Sequence, residues 1–228
     1  MDTEILADAT AVAARAAEFI AAEARAAVRA RGRFAFAVSG GHTPWQMLRL
    51  LAQQDVPWSA VDLFQVDERV APAGDPDRNL THIAASLLGA IALPAAQLHA
   101  MPVEAADLDA AARAYAQTLA RVAGSPAVLD LVHLGLGPDG HTASLVPGDA
   151  VLDLADADVG LTGEYMGRRR MTLTFPVLDR ARRVLWLATG SEKRAMLARL
   201  RAADRSIPAG RVAPQRALVL ADRAALAA

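Results

Sequence analysis

The 228-residue sequence contains no cysteine, which removes disulfides, thiolate nucleophiles and cysteine-based zinc sites from consideration. It is also poor in lysine. Lys193 is the only one, and the arginines that supply the remaining basic charge alternate with acids, giving a formal net charge of −1. A chain without a one-sided basic run offers no nucleic-acid surface. No apolar run approaches the 18 residues of a membrane span, and the start, Met1-Asp2-Thr3-Glu4, is acidic where a targeting segment is basic. These absences lead us to expect a cytoplasmic protein that binds neither membrane nor nucleic acid.

What is present is apolar: 54% of residues are hydrophobic against 21% charged, a balance that argues against disorder. A chain of this length can bury roughly 70% of its unfolded surface. From about Thr10 to Arg31, Val12, Ala16, Phe19, Ile20, Ala24, Ala27 and Val28 recur at helical spacing. Phe34 to Val38 then reads as a short buried strand ending at Ser39-Gly40-Gly41-His42-Thr43-Pro44, with Thr43 as cap and Pro44 as the first residue of a helix to about Gln53. A phosphate-binding turn and a plain capped turn both fit this stretch. Val61 to Val66 is the next strand and ends in Asp67-Glu68-Arg69, either a solvated exit or a site. Asn79 can cap a helix through Leu88, Leu98 to Met101 is a short strand, and Leu108, Ala111, Tyr115, Leu119 and Val122 trace another helical stripe.

The stretch Asp130 to Gly148 is the most suggestive. Val128 to Leu136 reads as a buried parallel strand, Gly135, Gly137 and Gly140 free the backbone for a turn, and His141 is expected to open the next helix beside an anion. Two plainer readings compete. The Gly135-x-Gly137-x-x-Gly140 spacing matches a dinucleotide fingerprint, which needs an acidic residue at the end of the following strand; Asp156 and Asp158 lie near that distance in a segment that reads as loop or weak strand. His141 can also be a helix cap on a structural turn. Beyond it, Met171 to Phe175, Val184 to Thr189 and Ala217 to Leu220 read as strands, with a helix from Ser191 to about Arg201 and a short terminal helix.

Alternating strands and helices with apolar strands predict an α/β, doubly wound, mostly parallel Rossmann-like sheet with helices on both faces, in a single domain over residues 1–228. Every strand of such a sheet points its carboxyl end the same way. Ser39 to Gly41, Asp67 to Arg69, Gly135 to His141 and Gly190 all come just after predicted strands, so they are expected on one rim, where ligands bind.

Taken together, these motifs resemble the 6-phosphogluconolactonases, within the larger group of sugar-phosphate isomerases and deaminases. Ser39 to Pro44 resembles the group's phosphate loop, Asp67-Glu68-Arg69 with Asn79 its second motif, and Gly135 to Gly148 its third. Arg170-Met171-Thr172-Leu173-Thr174 and Gly190-Ser191-Glu192-Lys193 complete the series over nearly the whole chain. The deaminases usually carry Tyr where Arg69 stands and Ile-Ala-Phe-Asn where Thr142 to Leu145 stand. Three departures are visible: the strand that commonly precedes the first helix reads as shortened or absent, Val146 replaces a usual Phe, and the segment from Asp149 to Arg169 matches poorly.

The resemblance implies cofactor-free hydrolysis of a small phosphosugar lactone, 6-phospho-D-glucono-1,5-lactone, in the oxidative pentose phosphate pathway. It gives His141 the role of base, Arg69 that of a cation for the developing charge and Asp67 that of an orienting partner. Ser39, Gly40, Gly41, Thr43, Arg170 and Lys193 hold the phosphate, the register favouring Arg170 over Arg168 and Arg169. Ser144 lacks the Gly-x-Ser-x-Gly elbow of serine hydrolases. A deaminase or isomerase and a non-catalytic sugar-phosphate sensor are the alternatives. No close pair among the five histidines reads as a metal-ligand set.

Overall fold

The structure is a computed structural model and describes residues 1–226. Its elements run β1 (Asp2–Leu6), α1 (Ala9–Arg31), β2 (Phe34–Val38), α2 (His42–Leu51), β3 (Val61–Gln65), β4 (Asp67–Arg69), α3 (Asn79–Ser86) and β5 (Leu98–His99). They continue with α4 (Leu108–Ala123), β6 (Leu131–Gly135), β7 (Val159–Leu161), β8 (Arg170–Leu173), α5 (Phe175–Arg180), β9 (Val184–Ala188), α6 (Arg194–Arg201) and β10 (Ala217–Asp222).

Side chains of β2 alternate between two apolar layers. Phe34, Phe36 and Val38 pack with Val12, Ile20, Met47 and Leu48 of α1 and α2, whereas Ala35 and Ala37 face the cluster of Tyr115, Leu119, Leu178 and Leu197 from α4, α5 and α6. The same division places Leu185 and Leu187 of β9 on the first face and Trp186 on the second. A strand buried on both faces can be continuously apolar, which is why β2 and β9 carry no polar residue. Asp8 and Asp107 cap the two long helices, each accepting a backbone N–H at 2.9 Å.

Seven strands form one sheet in the order β1-β10-β9-β6-β2-β3-β5, and every pair is parallel. From β2 the chain winds outward through β3 to β5; it then returns to β6 on the other side of β2 and winds through β9 to β10. The crevice beyond β2 and β6 is therefore the point where winding reverses, the place at which such sheets bind ligands. A second sheet, β4-β8-β7, is antiparallel and stands over this crevice.

Several expectations need correction. A strand does precede the first helix: β1 pairs with β10 from Asp2↔Leu218 to Leu6↔Asp222. Asp153 to Gly160, read as loop or weak strand, runs into the short strand β7, and Asp67-Glu68-Arg69 is a strand of the second sheet. Ser191–Lys193 is a separate 3-10 turn ahead of α6. Residues 223–226 make turns where a terminal helix was expected, and the rest of that expectation lies outside the described residues.

Candidate active site

A cavity of about 340 Å³ opens beyond the carboxyl ends of β2, β6 and β9, and all nine sequence-predicted site residues line it. That volume lies within the usual range for small-molecule pockets.

On one side lies the turn after β2. α2 begins two residues earlier than expected, at His42 with Gly41 as cap, so Pro44 occupies the third helical position. No side chain among the described residues caps this end. Trp45 N–H makes the first helical bond, to the Gly41 carbonyl at 2.9 Å. The N–H groups of Gly40, Gly41, His42 and Thr43 have no acceptor among the described residues, and at a helix N-terminus they favour an anion. Gly41 has φ +133, a conformation that L side chains avoid. Ser39 lends no donor: its N–H reaches His133 Nδ1 at 3.3 Å and its hydroxyl donates to the His133 carbonyl at 3.0 Å. Through these two bonds it shapes the loop. The Thr43 hydroxyl is paired with that of Thr189 at 2.8 Å.

Opposite this turn, β4 and β8 place Arg69 directly across from Arg170. Facing cations repel, and Arg170 is held below its ordinary pKa by burial and by Arg69. The Nε atoms of both are buried without a partner among the described residues. Two such cations without a carboxylate partner at Nε are suited to negatively charged groups of a ligand. Arg69 is aimed by Asn79, whose Oδ1 accepts from Nη1 at 2.8 Å. Asn79 was expected to cap α3, but the buried Glu68 carboxylate does so, accepting the N–H groups of Asn79 and Leu80 at 2.8 Å each. The Asn79 amide is thereby free to donate to the Asp67 carbonyl at 2.9 Å.

The stretch after β6 departs most from expectation. His141 does not open a helix; Leu145 N–H returns to the Thr142 carbonyl at 2.8 Å, and Ala143 between them sits at φ +52. The turn therefore presents a side chain and not a helix end. His141 Nδ1 lies 2.6 Å from Asp139 Oδ1, which also accepts the His141 N–H at 3.1 Å. Nδ1 thus carries the proton, leaving Nε2 as the basic atom. Burial raises the Asp139 pKa, but the backbone and imidazole of His141 bring it below its ordinary value on balance.

Asp67 makes no bond to His141 among the described residues. Its carboxylate accepts from the Ser144 hydroxyl at 2.7 Å and lies 3.3 Å from the Asn79 amide. Ser144 is fully buried in this bond, which suits it poorly to act as a nucleophile. Lys193 reaches the rim from the 3-10 turn after β9.

Two residues with a place in the site carried no expectation. Asp139 had a legible signal, since an Asp two residues before a backbone N–H forms a local Asx turn. Tyr165 had none. It comes from the β7–β8 hairpin and donates its hydroxyl to Asp139 Oδ2 at 3.2 Å. Burial and the adjoining Asp139 carboxylate raise its pKa, so it remains a donor.

The model of the family described as glucosamine-6-phosphate isomerases/6-phosphogluconolactonase matches residues 7–221. The chain is 40% identical to a 6-phosphogluconolactonase of Mycobacterium tuberculosis, with 98% of this chain and 96% of that protein covered. It is 36% identical to one of Synechocystis sp., covering 85% and 83%. A solved 6-phosphogluconolactonase of Thermotoga maritima superposes with a TM-score of 0.86 at 26% identity, covering 97% of this chain and 98% of that one. By sequence, fold and site arrangement, this chain belongs to the glucosamine-6-phosphate isomerase/6-phosphogluconolactonase family.

Proposed function

We propose that this chain hydrolyses 6-phospho-D-glucono-1,5-lactone to 6-phospho-D-gluconate, the lactonase step of the oxidative pentose phosphate pathway. The observation that carries the reading is the placing of a carboxylate-held imidazole in one cavity with two facing arginines and a run of unpaired backbone N–H groups. Lactone hydrolysis needs a base for water, a cation for the oxyanion and an anchor for the phosphate.

In this reading His141 Nε2 takes a proton from water as the water oxygen bonds to the lactone carbonyl carbon. The carbonyl electron pair moves onto oxygen, where Arg69 stabilises it. Collapse re-forms the carbonyl and breaks the bond from that carbon to the ring oxygen, which takes the proton from the imidazolium and leaves as a hydroxyl. Asp139 holds the imidazole and stabilises its charged form. The N–H groups of Gly40, Gly41 and Thr43, with Arg170 and Lys193, hold the phosphate. Asp67 tethers Asn79, and through it Arg69.

We take residues 1–228 as one domain acting in the cytoplasm on this small phosphorylated lactone. No described helix is long and apolar enough to cross a membrane.

Lactone hydrolysis is to be assayed beside glucosamine-6-phosphate deamination and ribose-5-phosphate isomerisation, with the spontaneous opening of the lactone subtracted. His141→Asn is expected to lower kcat about 10² to 10⁴-fold, the usual contribution of a positioned base. A folded His141→Asn protein with unchanged kcat, or deamination faster than hydrolysis, would overturn the reading.

A further inference from the structure

Tyr165 stands on the hairpin between β7 and β8, a segment for which the motifs and the resemblance supply no role. A bridge to Arg168 closes the hairpin, with the Tyr165 N–H donating to the Arg168 carbonyl at 3.0 Å. Met166 beside it is 81% exposed, whereas the Tyr165 ring turns into the site.

Three contacts converge on that ring. Its hydroxyl donates to Asp139 Oδ2, while the other oxygen of the same carboxylate holds His141. Its plane lies at 69° to the imidazole, with 5.6 Å between ring centroids. Its face lies 5.0 Å from the guanidinium carbon of Arg170. One side chain thus touches the partner of the base and the cation opposite Arg69.

The chemistry of the two ends differs. An Asp carboxylate turns easily about its last torsion, so a donor on the second oxygen fixes the plane that the first presents to His141. Arg170 needs an attraction to offset repulsion from Arg69, and a π face supplies one without neutralising the charge. A carboxylate in the same place would form an ion pair and compete with the substrate phosphate.

We infer that Tyr165 is a positioning residue for lactone hydrolysis: its hydroxyl sets the Asp139 carboxylate that orients His141, and its ring face holds Arg170 toward the substrate phosphate. The inference rests on the proposed roles of His141 and Arg170.

The two ends separate by substitution. Tyr165→Phe keeps the ring and removes the hydroxyl, and is expected to lower kcat about tenfold with KM unchanged, from the loss of one hydrogen bond to a charged group. Tyr165→Leu removes both and is expected to show the same fall in kcat with a roughly three- to thirtyfold rise in KM. In an Asp139→Asn background Tyr165→Phe should add little, because the two act through one contact. A residue that merely packs would give no such split between kcat and KM. Wild-type kcat in Tyr165→Phe, measured where His141→Asn is impaired, overturns the first half. Unchanged KM in Tyr165→Leu where Arg170→Ala raises it overturns the second. Normal kcat in His141→Asn would instead remove the premise and the inference with it. Tyr165→Phe, the milder change, decides the first half even where Tyr165→Leu loosens the hairpin.

Discussion

Two turns in this protein carry the same tripeptide, Gly41-His42-Thr43 after β2 and Gly140-His141-Thr142 after β6, and they do opposite things. The first runs into Pro44, whose fixed φ suits the opening turn of a helix, and α2 begins with its N–H groups unpaired toward the cavity. The second runs into Ala143 at φ +52, which cannot continue a right-handed helix; the chain doubles back and the Gly137 N–H closes on the His141 carbonyl at 2.8 Å. One turn offers bare backbone to an anion. The other uses its backbone internally and offers a side chain. The proposed anchor and the proposed base thus share a tripeptide and differ in the residue after it, Pro44 in one turn and Ala143 in the other.

The largest expected effect breaks the second turn. A Cβ on Gly137 would lie 2.1 Å from His141 Nδ1, the atom held by Asp139, so the imidazole must leave its place. Gly137→Ala should therefore lower kcat about 10²-fold or more, approaching His141→Asn, although it alters no reacting group. Steady-state kinetics on the phosphorylated lactone test this, and kcat within about twofold of wild type would show that the imidazole position is not critical.

Breaking the first turn should change binding. Gly41→Val puts a β-branched side chain at φ +133 beside the unpaired N–H groups. KM is expected to rise roughly ten- to hundredfold, the loss of one or two hydrogen bonds to a charged group, with kcat at saturation reduced much less. Unphosphorylated gluconolactone should be a poor substrate of the wild-type protein and lose little further in the variant. If both lactones are turned over equally well, the turn after β2 does not bind phosphate.

The contrast between the turns also marks how far residue order alone can be read. Buried strands such as β2 and β9 are continuous apolar runs, and the rim on which their turns meet is a consequence of a parallel sheet. Edge strand β1 was missed because Asp2-Thr3-Glu4-Ile5-Leu6 is partly exposed, with Ile5 48% exposed; only its hydrogen bonds to β10 define it. Gly-His-Thr signalled a helix start in both turns, and the left-handed backbone of Ala143 has no signal in the local residue pattern. Which carboxylate holds His141 depended on that same turn. The returning chain brings the Asp139 carboxylate, two residues away, onto both the backbone N–H and the Nδ1 of His141. Tyr165 reaches the site only through the pairing of β7 with β8, a contact without local sequence signal.

The smallest expected effect lies beneath the first turn. His133 of β6 is fully buried, accepts the Ser39 N–H on Nδ1, and has no partner for Nε2 among the described residues. Burial lowers its pKa to about 3 from an ordinary 6.5, so it stays neutral in the folded protein where the unfolded chain protonates it. Its contribution to stability is complete above pH 6.5 and is lost progressively as pH falls to about 3. Each pH unit inside that window costs at most about 1.4 kcal/mol, so on the order of 2 to 3 kcal/mol is lost by pH 4.5. In a domain of this size that corresponds to a fall in Tm of roughly 5 to 10 °C. Asp139, whose lowered pKa acts only below the ordinary carboxylate range, contributes to acid loss at lower pH. Burial raises the pKa of the Asp179 carboxyl, which works in the opposite sense as pH falls, so calorimetry from pH 7 to 4.5 is read as the difference between wild type and a His133 variant. His133→Leu removes the titrating group and should flatten the decline, while its Tm at pH 7 falls because the buried Ser39 N–H loses its acceptor. A modest rise in KM, about two- to fivefold, should accompany it from the loosened Ser39 turn, with kcat unchanged. If wild type and variant lose Tm in parallel between pH 6.5 and 4.5, the buried imidazole is not the source of acid sensitivity.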